Sequence, residues 1–223
     1  MVAQRGRKGR AMLLRGMLCL IAVALAVPAA ARETGRRATL SGKIDPNSDY
    51  AKFVRRLRDG DTAIDYAAFR LSFTKLPDYD GLDRLDTAPA YAALRERKVG
   101  LALDIAVKRL DVAYVDIDAH LIAVAVYRMM GLPDKAEEAT AIARGLMTAL
   151  RATGDGKGPQ TAYRPILLGE EYLLANASGL RVAGREELRG HDVLRVVDPK
   201  TGAKSDIWFD SAGFSANTPA PAP

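Results

Sequence analysis

Apolar residues recur along this chain at two periods, and the period changes once. From residue 48 to residue 153 they return every three or four positions; beyond a glycine-rich break at 154–159 they alternate or run in short blocks. The first spacing puts apolar side chains on one face of a helix, the second on the faces of a strand.

Residues 48–58 open the helical part. Tyr50, Phe53, Val54 and Leu57 form one stripe, Ser48 is placed to cap the helix, Asp49 falls in its first turn and Gly60 follows as a stop. Arg55, Arg56 and Arg58 fall opposite, as a solvated face or a basic patch. A second helix spans 65–73, opened by Asp65, and LPDYDG at 76–81 makes a loop. Thr87 is expected to cap a third helix with Pro89 in its first turn; Tyr91, Leu94 and Val99 point inward and Gly100 breaks the segment. The next helix, 101–110, is expected to bury Leu101, Ala102, Ile105, Ala106 and Leu110.

The strongest pattern lies at 114–156. Asp116 caps a helix with Asp118 in its first turn, where the positive end of the helix dipole favours a carboxylate. Leu121, Ile122, Val124, Ala125 and Val126 leave it almost no polar face, which predicts a central, buried helix. Gly131 ends it, and Pro133 starts a partner with Ala136, Ala139, Ile142, Ala143, Leu146, Met147 and Leu150 at helical spacing. Ala102 and Ala136 stand 34 residues apart, the tetratricopeptide period, so these helices are read as tetratricopeptide-like hairpins.

Strands are expected in TAYRPILLG, GLRVAGREEL, HDVLRVVD and AKSDIWFD, with residues 199–202 turning the last hairpin; residues 170–175 suit a helix or a strand. The fold class is α+β: N-terminal helical hairpins packed with a C-terminal antiparallel β-meander. Two subdomains meeting near Gly154 also fit the pattern, but so small a meander needs a cover, which favours one unit.

Charge changes the picture at the N-terminus. The 223-residue chain carries a net +6, yet five of its 33 basic residues and none of its 27 acidic ones lie in residues 1–31. There a basic start precedes a short apolar run from Met17 to Val27 and an Ala-x-Ala end, the pattern of a secretory signal peptide cleaved after Ala31. An uncleaved anchor is the alternative. Taking those five from 33 leaves 28 basic against 27 acidic residues, which excludes a phosphate-tracking surface and so a nucleic-acid partner. The expected location is periplasmic or secreted, with membrane contact only through the export signal. Cys19, the sole cysteine, falls inside the signal, so disulfides and thiol chemistry are excluded from the mature chain. The organisation becomes signal 1–31, flexible leader 32–47, helical region 48–153, β region 154–212 of the same domain, and a Pro/Ala tail 213–223.

Candidate chemistry is sparse. Asp116 and His120 share a helix face at i, i+4, where they could hold a metal or pair as base and orienter; a helix cap above a satisfied histidine explains them equally. Asp155 lies in GDGKG, which lacks phosphate-loop spacing and reads as a turn, although Asp155 could join His120. Glu170 and Glu171 are adjacent, so they diverge by about 100° on a helix and cannot share one scissile bond. His191 enters the penultimate strand, and Trp208 and Phe209 belong to the core, or else offer an aromatic platform. Two histidines cannot make a three-histidine zinc site. Catalytic candidates are thus His120, Asp155 and Glu171; ligand-binding candidates are Asp116, Glu170, Tyr172 and His191; no metal or cofactor is expected.

Taken together, DYAAFRLSF from Asp65, YVDIDAH from Tyr114, GDGK from Gly154, EEY from Glu170, GHDV from Gly190 and WFD from Trp208 resemble an uncharacterised bacterial family, domain of unknown function 4919. The resemblance implies export and this architecture, and it brings no activity, substrate or catalytic residue. The expected function is a non-enzymatic envelope module whose hairpins meet an envelope protein or cell-wall component. One alternative is a hydrolase or metal-dependent enzyme using His120 with Asp116, Asp155 or Glu171. The other is a small-ligand or glycan-binding module, which an exposed Tyr172 or Trp208 beside a cleft would favour.

Overall fold

Three short polar side chains start three of the helices. In the computed structural model, which describes residues 44–79, 81 and 86–212, Ser48 accepts from the Ala51 amide at 3.2 Å, Asp65 from Ala68 at 2.9 Å and Asp116 from Ala119 at 3.0 Å. Each satisfies an amide that the first helical turn leaves without a partner. The expected export signal, most of the expected leader and the expected tail lie outside the described residues.

Among the described residues the helices are α1 (Asp49–Arg58), α2 (Tyr66–Phe73), α3 (Ala88–Arg95), α4 (Val99–Val112), α5 (Ile117–Met129), α6 (Pro133–Arg151) and α7 (Gly169–Ala177). The strands are β1 (Arg181–Leu188), β2 (His191–Val197) and β3 (Lys204–Phe209), an antiparallel sheet in the order β1-β2-β3. The class is α+β. The open choice at 170–175 resolves as helix.

Helix α5 packs between α4 and α6 and buries seven of its thirteen residues, although Leu121 is left 40% exposed. α6 buries Ala136, Ala139, Ile142, Ala143, Leu146 and Leu150. Helix α2 rests on α6 at Gly145, where a β-carbon would lie 2.3 Å from the Tyr66 ring. One core joins α1, α2, α6 and α7 to the sheet through Tyr50, Phe69, Leu146, Leu174, Leu194 and Phe209.

Four expectations are corrected. The α3–α4 break falls at Arg97, whose φ is 57°, while Gly100 continues α4. The buried face of α4 is Ala102, Leu103, Ala106 and Arg109, with Leu101 outside. Alanines 90, 93, 102 and 106 make the contact between α3, α4 and α5 together with Leu103, Ile122 and Val126. Thr87 does stand at the N-cap of α3, but its side chain caps no amide: the hydroxyl donates to Asp118. Finally, 161–169 is not a strand. Pro159 and Pro165 have no N–H to give a ladder, and among the described residues the segment pairs with β3 through a single bridge at Tyr163, whose amide reaches the Trp208 carbonyl at 3.0 Å. Helical hairpins are present, but the 34-residue spacing does not by itself show a tetratricopeptide relationship.

Candidate functional site

Two arginines at core positions organise the charged groups. Arg109 follows Ala102 and Ala106 on the buried face of α4, and its Nε donates to Asp116 Oδ2. The other oxygen of Asp116 caps α5, so one carboxylate serves a helix end and a buried cation together. Arg70 of α2 is equally buried and grips Glu170 of α7 through both terminal guanidinium nitrogens, while Glu170 Oε2 accepts from the Ile166 amide at 2.7 Å. Arg70 also donates to the Arg164 carbonyl at 3.2 Å.

Between these pairs lies a cleft of about 380 Å³, walled by the start of α3, the α4–α5 junction and α7. Tyr91, Arg109, Asp118, Glu170, Tyr172 and Asn176 are among its lining residues. Asp118 accepts from the Thr87 and Tyr91 hydroxyls. Burial, and then the Asp118 carboxylate, raises the Tyr91 phenol above its ordinary range, so it stays a donor. Tyr91 is 37% exposed and Tyr172 38%, which leaves two aromatic rings accessible beside carboxylate and amide groups.

The structure brings Asp116, Glu170 and Tyr172 to this cleft. The other candidates lie elsewhere. His120 is 2% exposed, its Nε2 donates to the Tyr114 carbonyl at 2.9 Å, and its ring packs edge-on against Tyr114. Burial holds its pKa down to about 4, against smaller opposing effects of that hydrogen bond and Asp116. The unfolded imidazole takes a proton near 6.5, so His120 supports the fold above that pH and withdraws its support as pH falls toward 4.

Asp155 belongs to a turn. It is exposed and accepts from the Thr161 hydroxyl at 2.6 Å and the Lys157 amide at 3.1 Å. The Thr161 bond, helped by Lys157, holds its carboxyl down to about 2. Gly154 is required there because a β-carbon would stand 2.4 Å from the Thr161 carbonyl oxygen. His191 meets the Arg189 carbonyl at 3.1 Å and packs on the half-buried Trp208.

Glu171 turns away from the cleft, as its adjacency to Glu170 requires. It is 0% exposed and lies 3.3 Å from Nε of Arg185 on β1, which also donates to Asp192 on β2 at 2.6 Å. Burial and then Asp192 push its pKa up to about 8, with Arg185 opposing. Among the described residues no three His, Cys, Asp or Glu side chains gather to hold a metal ion.

Arg70, Arg109 and Arg185 were missed as site residues. Two of them carried a signal: Arg70 stands at i+4 from Tyr66 and Arg109 at i+3 from Ala106, a charge at each place where the helical period calls for an apolar residue.

The family model described as Domain of unknown function (DUF4919) matches residues 41–214. No curated protein and no solved structure matches the chain.

Proposed function

We propose, for a chain that belongs to the Domain of unknown function (DUF4919) family, an exported envelope module that binds a small, hydroxyl-rich ligand of the cell-wall saccharide class in the cleft between α3–α5 and α7. The cleft carries this reading. Its volume falls within the range of small-molecule sites, roughly 300–1,000 Å³. Tyr91 and Tyr172 offer ring faces, and Asp118 and Asn176 can exchange hydrogen bonds with hydroxyl or acetamido groups. Catalysis is less well supported. Arg109 and Glu170 are committed to buried partners, and His120 faces a backbone carbonyl rather than the cleft. Export rests on the basic, apolar and Ala-x-Ala succession of residues 1–31. N-terminal sequencing of the chain recovered after secretion should read Arg32 first; an intact residue 1 would remove the export half of the reading.

The ligand half is checked by calorimetric titration with N,N′-diacetylchitobiose and with soluble peptidoglycan fragments. Saturable binding is expected to at least one of them. Tyr172→Ala should weaken it about tenfold, the value of a lost stacking contact, with little change in Tm because the ring is already 38% exposed. Equal binding by Tyr172→Ala, or no binding by the parent chain, would sink the cleft assignment.

A further inference from the structure

Helix α7 carries an acid that its surroundings cannot hold as an anion. Among the described residues Glu171 alone has buried side-chain oxygens that accept no hydrogen bond. The one nearby cation, Arg185, stands 3.3 Å from Oε2 without the geometry of a hydrogen bond, and its well-formed bond goes to Asp192. Two carboxyl groups therefore share one guanidinium, and Glu171 has the poorer share. A buried carboxylate without donors is strongly disfavoured, so the proton stays on. The first-turn position of Glu171 in α7 and the charge of Arg185 both favour the anion. Burial outweighs them.

We infer that Glu171 is a proton-operated latch on the cleft: protonated, it lets α7 seat against the sheet; ionised, it drives α7 away from the sheet and disorganises the cleft wall. The inference rests on the cleft reading, because Glu170, Tyr172, Leu173 and Asn176 of the same helix form that wall. The charged groups facing the latch from the sheet are Arg185 and Asp192. On the cleft side stand Arg70 of α2, held by Glu170, Arg109 of α4, held by Asp116, and the Asp118 carboxylate of α5. None of them gives Glu171 a second cation.

The sign follows from the proton count. The Glu171 carboxyl loses its proton near 4.5 when unfolded and near 8 when folded. Between those values the folded chain holds the extra proton, so stability is full below 4.5 and falls as pH rises through 8. His120 acts oppositely between about 4 and 6.5, and the two trends offset where they overlap. The latch is therefore seen without His120 above pH 6.5.

The experiment is hydrogen exchange of the α7 amides in the full chain at about pH 6.5 and 8.5, corrected for intrinsic exchange rates, with Tm read alongside. The α7 opening constant should rise roughly tenfold or more across that step, and Tm should fall. Glu171→Gln copies the protonated acid in shape and polarity, so it should fold and show neither response. An α7 protection that ignores pH in the parent chain, or a response that survives in Glu171→Gln, overturns the latch. Diacetylchitobiose titrated into both proteins at each pH separates the two ideas. Loss of affinity at the higher pH in the parent chain alone supports the coupling. A pH-dependent α7 without binding at either pH removes the cleft reading, and with it the ligand coupling, and leaves the proton-driven opening of α7 intact.

Discussion

Glu170→Ala will destabilise the fold by about 3–5 kcal/mol, the cost of removing one partner from a buried ion pair. The loss comes mainly from what is left behind. Arg70 is 3% exposed, and without Glu170 its named acceptors reduce to the Arg164 carbonyl at 3.2 Å. The Ile166 amide, which Glu170 receives at 2.7 Å, loses its acceptor as well. A guanidinium stays charged at any relevant pH, so it cannot escape by releasing a proton. Urea denaturation near pH 7 measures the effect, with an unchanged slope confirming that stability and not compactness has moved. The double variant Arg70→Met with Glu170→Leu should recover much of the loss, because apolar replacement of a whole buried pair is often close to neutral. A loss below about 1 kcal/mol for Glu170→Ala would mean that the pair behaves as a surface salt bridge.

Asp116→Ala should be nearly as costly. It removes a helix cap, worth about 1 kcal/mol, and strips Arg109 of its carboxylate in a site where the two side chains are 5% and 11% exposed. Together these give roughly 4 kcal/mol. Asp116→Asn separates the contributions: its amide oxygen can still accept from the Ala119 amide, while the charge facing Arg109 is gone. It should fall between the parent and the alanine variant. If Asn and Ala are equally harmful, the ion pair accounts for the effect; if Asn is harmless, the cap does.

Asp116 also shows how far the sequence could be read. As a cap it was legible, because a cap depends on a bond to an amide three residues away. Ser48 and Asp65 were legible for the same reason, and the stripe of α6 was legible from its spacing. What local spacing could not show were meetings across the chain. Arg70 and Glu170 are 100 residues apart, so neither predicts the other. The cleft is walled by segments from three separate stretches, near Thr87, Asp116 and Gly169. The inward face of α4 was misjudged because its apolar residues fit more than one helical stripe, and the buried one carries the charge of Arg109. Residues 161–169 were misjudged because the residues between two prolines looked like strand material, although the prolines left only one bridge to form. His120 is buried against the Tyr114 carbonyl, as the reading of a satisfied histidine beneath a helix cap expects.

The run from Tyr163 into α7, held at both ends, has a consequence for length. Tyr163 is pinned to β3 through the Trp208 carbonyl and the Asp210 amide, and Glu170 is pinned to Arg70 seven positions later. If α7 keeps its place, adding or deleting one residue between them shifts by one which residues fill its positions, a step of about 100° around the helix. A deletion would then present Glu171 to Arg70, whereas an insertion would present Gly169 to Arg70 and Glu170 to Arg185. Single-residue insertions and deletions in that short stretch should therefore be tolerated far less well than substitutions.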